Sequence, residues 1–134
     1  MKEYTRQQIG RKGERVAAKF LRRAGYRILA RNQHFGRNEL DLVVKDRQYI
    51  VFVEVKTRST EGSDISSQRP ADAVDREKRK HTSDAAIAYL KEHKTTLCPR
   101  FDVVEVYLDR TKRLHTVKIN HIIDAFSVNG KIRR

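Results

Sequence analysis

The stretch from Asn38 to Arg58, NELDLVVKDRQYIVFVEVKTR, constrains the fold more than any other part of the chain. Two apolar runs flank a short polar turn, as in a β-hairpin, yet Glu39, Asp41, Glu54 and Lys56 sit inside those runs. Charges in a half-buried sheet are costly unless they are paired or bound to something. With Asp46-Arg47-Gln48-Tyr49 as a four-residue turn, Lys45 faces Ile50 and a register follows. One face then pairs Val44 with Val51, Leu42 with Val53 and Leu40 with Val55, and is wholly apolar. The other pairs Val43 with Phe52, Asp41 with Glu54 and Glu39 with Lys56. A one-residue slip would carry charge into the apolar face, so the pattern itself selects this register.

That register has a chemical consequence. Carboxylates directly opposite each other, their side-chain roots roughly 5 Å apart, raise each other's pKa unless positive charge lies between them. A divalent cation would resolve the conflict: Asp41, Glu54 and the backbone carbonyl of Val55 offer hard oxygen ligands suited to Mg²⁺ or Mn²⁺. Lys56, two residues beyond Glu54, shares their face. The plain alternative is mutual neutralisation, with Lys56 bridging Glu39 and Glu54 and Arg58 assisting. The setting favours the cation. Thirty Lys and Arg against 17 Asp and Glu give a net charge of +13, which suits a polyanionic partner. An acidic island in a basic surface is what metal-dependent phosphodiester chemistry needs.

Composition excludes other classes. No strongly amphipathic basic helix with bulky apolar anchors points to a membrane surface. No apolar run could cross a bilayer, and MKEYTRQQIGRKGER lacks a signal peptide's apolar core, so a cytoplasmic protein is expected, or a nuclear one in a cell with a nucleus. A lone cysteine, Cys98, rules out a disulfide framework or Cys-rich zinc site and is expected to be a buried, inert thiol. His34, His81, His93, His115 and His121 show no ligand spacing.

The whole chain, 1–134, reads as one α/β domain. Thr5 caps a helix reaching Ala24 with Gly25 as its stop, and Ile9, Gly13, Val16, Ala17, Phe20, Leu21 and Ala24 form its apolar stripe. Strands are expected over 26–30, 39–45 and 50–57, then a long polar loop, Ser59–Arg69. A second helix starts at Pro70 or Ala71 and runs to His93, with Val74, Lys78, His81 and Ala85 on its inner side. Strands over 100–108 and 114–119, a short helix at 121–126 and a basic, mobile tail over 127–134 complete the chain. Asp102, inside a strand, suits a structural ion pair.

Taken together, Gly10-Arg11-Lys12-Gly13-Glu14, Gly25-Tyr26, Asn32, Glu39-Leu40-Asp41-Leu42, Val51 to Arg58, Lys78 and Arg100-Phe101-Asp102 resemble the YraN family. This is a family of uncharacterised bacterial proteins similar to the PD-(D/E)xK nucleases, which include restriction endonucleases and Holliday-junction resolvases. The resemblance spans about residues 8–126. It implies a restriction-endonuclease-like αβββαβ core, a mixed central sheet flanked by helices, matching the order read above. It also implies a catalytic set of Asp41, Glu54, Lys56 and Glu14. Asp41, Glu54, Val55 and Glu14 would bind Mg²⁺ or Mn²⁺, and Lys56 would orient or deprotonate the attacking water. Arg58, Lys78, Arg37, Arg11 and Lys12 would face the nucleic acid. Asn38 departs from the family's Gly before E-[IL]-D, and Asn tolerates left-handed backbone better than most residues. Gly10 and Gly13 each weaken their helix by up to about 1 kcal/mol relative to Ala; close approach to strand or nucleic acid would explain them, as would fraying near the terminus.

The expectation is a Mg²⁺-dependent endonuclease-like protein on nucleic acid, DNA ahead of RNA, branched or linear. Three alternatives stay open: a non-catalytic nucleic-acid-binding module with a vestigial site, an adaptor for protein partners, and, for any of these, a homodimer.

Overall fold

The computed structural model describes residues 3–62 and 76–128. Helix α1 (Arg6–Arg23) is followed by strands β1 (Arg27–Phe35), β2 (Asn38–Lys45) and β3 (Tyr49–Thr60). Helix α2 (Arg76–Glu92) leads into β4 (Cys98–Asp109), a one-turn 3₁₀ helix (Arg110–Lys112) and β5 (His115–Phe126). The strands form one sheet in the order β1-β2-β3-β4-β5. Of its four neighbouring pairs, β3 and β4 run parallel and the others antiparallel, and α2 lies in the long crossover that a parallel pair requires.

The two helices cover opposite faces. On one, Ala17, Ala18 and Leu21 of α1 pack on Leu42, Val44, Val51, Val53, Val55, Val104, Val106 and Leu108. On the other, Ala85, Ala86 and Tyr89 of α2 pack on Leu40, Val43, Ile50, Phe52, Phe101 and Val103. Strand β3 is therefore buried on both sides, which explains its near-continuous apolar run.

Local chemistry sets the element ends. Thr5 caps α1 in a reciprocal capping box, its Oγ1 accepting from the Gln8 N–H while Gln8 Oε1 accepts from the Thr5 N–H. Gly25, at φ 101°, ends the helix. In the β2–β3 hairpin, Asp46 Oδ1 accepts from the backbone N–H groups of Gln48 and Tyr49 at 2.8 and 2.7 Å, an Asx turn that fixes the expected pairing of Lys45 with Ile50. Gly13 lets α1 sit on β3. A Cβ there would collide with the Thr57 side chain, whereas one on Gly10 would meet nothing within 4 Å.

Several expectations need correction. The strand expected at 26–30 runs from Arg27 to Phe35. The helix expected at 121–126 is the second half of β5, because Val103 pairs with Ile122 and Phe101 with Phe126. An irregularity there, with Asp124 at φ 55°, lets the Asp124 N–H donate to Asp102 Oδ1 at 3.0 Å. That non-local tie is invisible in a periodicity. Asn38 has ordinary strand backbone; Gly36, at φ 63°, carries the left-handed position of the β1–β2 turn, so the departure from Gly at 38 costs no strain. Cys98 is exposed rather than buried, because it opens β4 at the rim of the sheet. The inner side of α2 is Arg79, Thr82, Ser83, Ala85, Ala86 and Tyr89; His81 is exposed and Lys78 lies at the edge. Val74, the start of the second helix at Pro70 or Ala71, most of the loop to Arg69, and residues 129–134 of the basic tail lie outside the described residues.

Asp102 forms the expected ion pair. It is fully buried, takes two hydrogen bonds from Arg100, at 2.8 and 2.7 Å, and sits 2.8 Å from His121 Nε2. Burial alone would raise its pKa, but the His121 and Arg100 hydrogen bonds outweigh it and hold the carboxyl below its ordinary value. A lowered folded pKa means stability present above the ordinary carboxyl pKa and lost as pH falls through the folded one.

The packing can be tested at both places. Asp102→Asn leaves Arg100 buried without its charge partner and should cost about 3–5 kcal/mol at pH 7 in denaturant melts, with the gap to wild type closing only at strongly acid pH. Gly13→Ala should destabilise by about 1–3 kcal/mol through overpacking on Thr57, while Gly10→Ala should be neutral or stabilising by up to about 1 kcal/mol.

Candidate functional site

The antiparallel ladder between β2 and β3 holds from Lys45–Ile50 to Leu42–Val53. Beyond it the strands part. Asp41 does not stand across from Glu54 as a ladder pair; its Oδ2 accepts the Val55 N–H at 2.9 Å, a side chain standing where a backbone acceptor would be. Leu40 turns to the α2 face while Val55 stays on the α1 face, so the expected Leu40–Val55 pairing does not form. The notch so opened admits side chains from both helices.

Four acidic groups bear on it through their charge. Glu54, on β3, is 1% exposed, and its Oε2 has no hydrogen-bond donor among the described residues. Its charge is met by Lys78 of α2, whose Nζ lies 3.2 Å from Oε1. Burial pushes the Asp41 carboxyl up to about 6, with the Glu54 and Glu39 charges adding to the rise and the Val55 N–H and Lys78 opposing it. Burial also raises Glu14, on α1, reinforced by Asp41 and Glu39 and opposed by Lys78 and Arg31. Burial would lower the Lys78 ammonium pKa, but the Glu54 and Asp41 charges more than reverse this. Asp41 is the link between the carboxylates of α1, β2 and β3: its charge acts on Glu14, and the Glu54 charge acts on it. Glu39 is its exposed rim, 4.0 Å from His34.

The remaining predicted residues spread outward along β3. Lys56, partly exposed, pairs in the parallel ladder with Glu105, and Arg58 with Tyr107. Two Arg58 nitrogens, Nε and Nη2, are shut from solvent with no acceptor among the described residues. Arg58 also lines a cleft of about 400 Å³ with Arg6, Gly10, Thr57 and Ser59. Arg11 is exposed on α1 and Arg37 at the tip of the β1–β2 hairpin, while Lys12 is half-buried on another side of α1. Lys78, expected to face the nucleic acid, reaches Glu54 with its side chain half exposed.

Sequence reasoning missed Glu105. It is 2% exposed, accepts from Asn120 Nδ2 at 2.9 Å through Oε1, and neighbours Lys56 across the ladder. The signal was available: in FDVVEVYL an acid interrupts a strand as Glu54 does in VFVEVK. Its partner lies on β5, so its environment was not legible.

A divalent cation suits this donor set. The side chains are hard oxygens, both of Glu54's are buried, and burial disfavours the charged forms of Asp41 and Glu14 even beside Lys78. As the side chains stand, no three Asp, Glu, His or Cys groups among the described residues lie close enough to enclose an ion. Lys78 holds the position beside Glu54.

Comparison with known proteins gives the lineage. The profile of an uncharacterised protein family, UPF0102, matches residues 13–106, a span that contains Glu14, Asp41, Glu54, Lys56, Arg58, Lys78 and Glu105. A UPF0102 protein of Caldanaerobacter subterraneus is 38% identical over 127 residues, covering 94% of this chain and 100% of that one. One from Chlorobium phaeobacteroides strain BS1 is 43% identical over 122 residues, 88% of this chain and 93% of its own. With a family profile across most of its length and relatives this similar end to end, the chain belongs to the UPF0102 family, the YraN proteins.

Proposed function

We propose that the chain is a Mg²⁺-dependent nuclease-like protein that binds nucleic acid, DNA ahead of RNA, and hydrolyses phosphodiester bonds at the notch between β2 and β3. The observation that carries this reading is Glu54: a carboxylate buried in the sheet, met among the described residues by the Lys78 ammonium 3.2 Å from Oε1 and by no donor at Oε2, with its charge acting on Asp41 and that of Asp41 on Glu14. Nothing in the packing of a hydrophobic sheet calls for such a group, and a fold retains a costly one where charge has a use.

Each residue has a role set by its place. Asp41, Glu54 and Glu14, with the Val55 carbonyl, would hold Mg²⁺ or Mn²⁺. The bound ion would offset charge on the scissile phosphate and activate the attacking water. The Val55 N–H fixes one Asp41 oxygen and leaves the other to the site. Lys78 balances Glu54 and, with its side chain half exposed, can swing outward to a phosphate. Lys56, two residues beyond Glu54 on β3, would take or steer a proton of the attacking water. Arg58, two of whose buried nitrogens lack acceptors among the described residues, would clamp a phosphate oxygen. Arg37 and Arg11 offer further phosphate contacts at the rim.

One observation favours a second reading, a nucleic-acid-binding protein whose nuclease site is vestigial. The Lys78–Glu54 pair already balances charge at the notch, and no three ligating groups among the described residues close on a point.

The two readings separate on activity. Purified protein should cut branched, flapped or linear DNA with Mg²⁺ and not with EDTA, and Glu54→Ala should lower the rate by at least about 100-fold. A clean preparation that cuts nothing, or a variant that cuts equally well, leaves the binding reading. A separate outcome concerns stability in EDTA. Asp41, raised from 3.8 to about 6, contributes stability below its ordinary pKa that is lost as pH rises through 6. Asp41→Asn should therefore melt higher than wild type at pH 8, by up to about 3 kcal/mol, and the difference should shrink towards pH 5.

A further inference from the structure

Helix α1 presents two different flanks. Around its axis Glu14 falls to one side of the buried stripe Gly13, Ala17 and Leu21, toward the carboxylates. On the other side a groove of about 600 Å³ runs between α1 and β5. Lys12, Arg15, Lys19 and Arg23 edge it, and its apolar floor is Val16, Phe20 and Ile119. The cations recur about once per turn, at intervals near 5.4 Å, and no Asp or Glu lines the groove among the described residues. His121 meets the Phe20 ring edge to face, centroids 5.9 Å apart at 87°, which sets the orientation of that ring. Arg11 and Arg22, exposed on the outward face of α1, continue the positive charge from this groove round to the Glu14 side.

We propose that the α1–β5 groove is a binding track for single-stranded nucleic acid, its cations holding successive phosphates and Phe20 offering a stacking surface for a base. Charge complementarity selects a polyanion, since the edge is uniformly basic. The floor selects among polyanions. A duplex keeps its bases stacked inside and has no use for an apolar floor, whereas an exposed base gains by lying on an aromatic ring whatever its identity. An acidic peptide would match the charges but leave Phe20 without a counterpart. The outward arginines let a strand seated here cross α1 toward the notch. The inference rests on the nucleic-acid half of the proposed function and not on metal binding or hydrolysis.

The test is fluorescence anisotropy with a labelled 20-nucleotide single strand in EDTA, over a salt series, for wild type, Lys19→Glu/Arg23→Glu and Phe20→Leu. Circular dichroism melts confirm that each variant is folded. The charge variant should bind at least tenfold more weakly. Its slope of log affinity against log salt should fall by about 1.4, because two phosphates of a single strand no longer meet a cation. Phe20→Leu should weaken single-strand binding about tenfold and leave duplex binding unchanged. The proposal is overturned if the folded charge variant binds like wild type, if polyglutamate displaces the strand as well as unlabelled oligonucleotide does, or if wild type binds no single strand. Because EDTA removes any metal, loss of cleavage in the Glu54 assay leaves this proposal standing. A groove variant that binds normally leaves the proposed hydrolysis standing.

Discussion

The hydrogen bond from the Val55 N–H to the Asp41 carboxylate is the point on which the site depends. It is made by a side chain where the β2–β3 ladder would otherwise continue, and it marks where the two strands separate. Had the ladder run on, Asp41 and Glu54 would face each other as adjacent like charges inside a sheet, an arrangement that costs stability with nothing to offset it. Parting the strands turns that conflict into a notch. Asp41 gains a donor, Glu54 gains Lys78 from α2, and Glu14 from α1 comes within electrostatic reach.

The rest of the fold makes that notch rigid. Strand β3 is clamped between helices on both faces, and Gly13 brings α1 so near that a methyl group at that position would collide with Thr57. The same approach brings Glu14, the next residue, down to the sheet. At the far side, Asp102, held by Arg100 of its own strand, ties β4 to β5 through His121 and the Asp124 N–H, so the strand beside β3 cannot drift. The carboxylates are thus carried by rigid elements rather than loops, as a site that must hold geometry requires.

Much of this was legible in the sequence, for physical reasons that also mark the limits. The hairpin register was readable because Asp46 supplies turn chemistry and a slip would bury charge, and it held from Lys45 to Leu42. It failed at Asp41, where the alternation of a strand pair assumes an unbroken ladder and a side chain interrupted it. The caps of α1 were readable because Thr5 and Gly25 act locally. The second half of β5 was not: HIIDAF has no distinctive period, and only pairing with β4 decides it. Lys78 was found as a candidate, but its partner was not, since the Lys78–Glu54 pair joins two separate elements through the tertiary fold. Glu105 carried the same signal as Glu54, an acid inside an apolar run, but nothing in its own strand announces its partner Asn120.

The central claim is that Glu14, Asp41 and Glu54 form a cation site. The most direct measurement is Mn²⁺ binding followed by electron paramagnetic resonance, in wild type, Asp41→Asn and Glu54→Gln at pH 7.5. Wild type should take up Mn²⁺ saturably, at a site that weakens at least tenfold in each variant, with Mg²⁺ competing. Wild type that takes up no Mn²⁺ at millimolar concentration, or variants that bind it as wild type does, would contradict the claim.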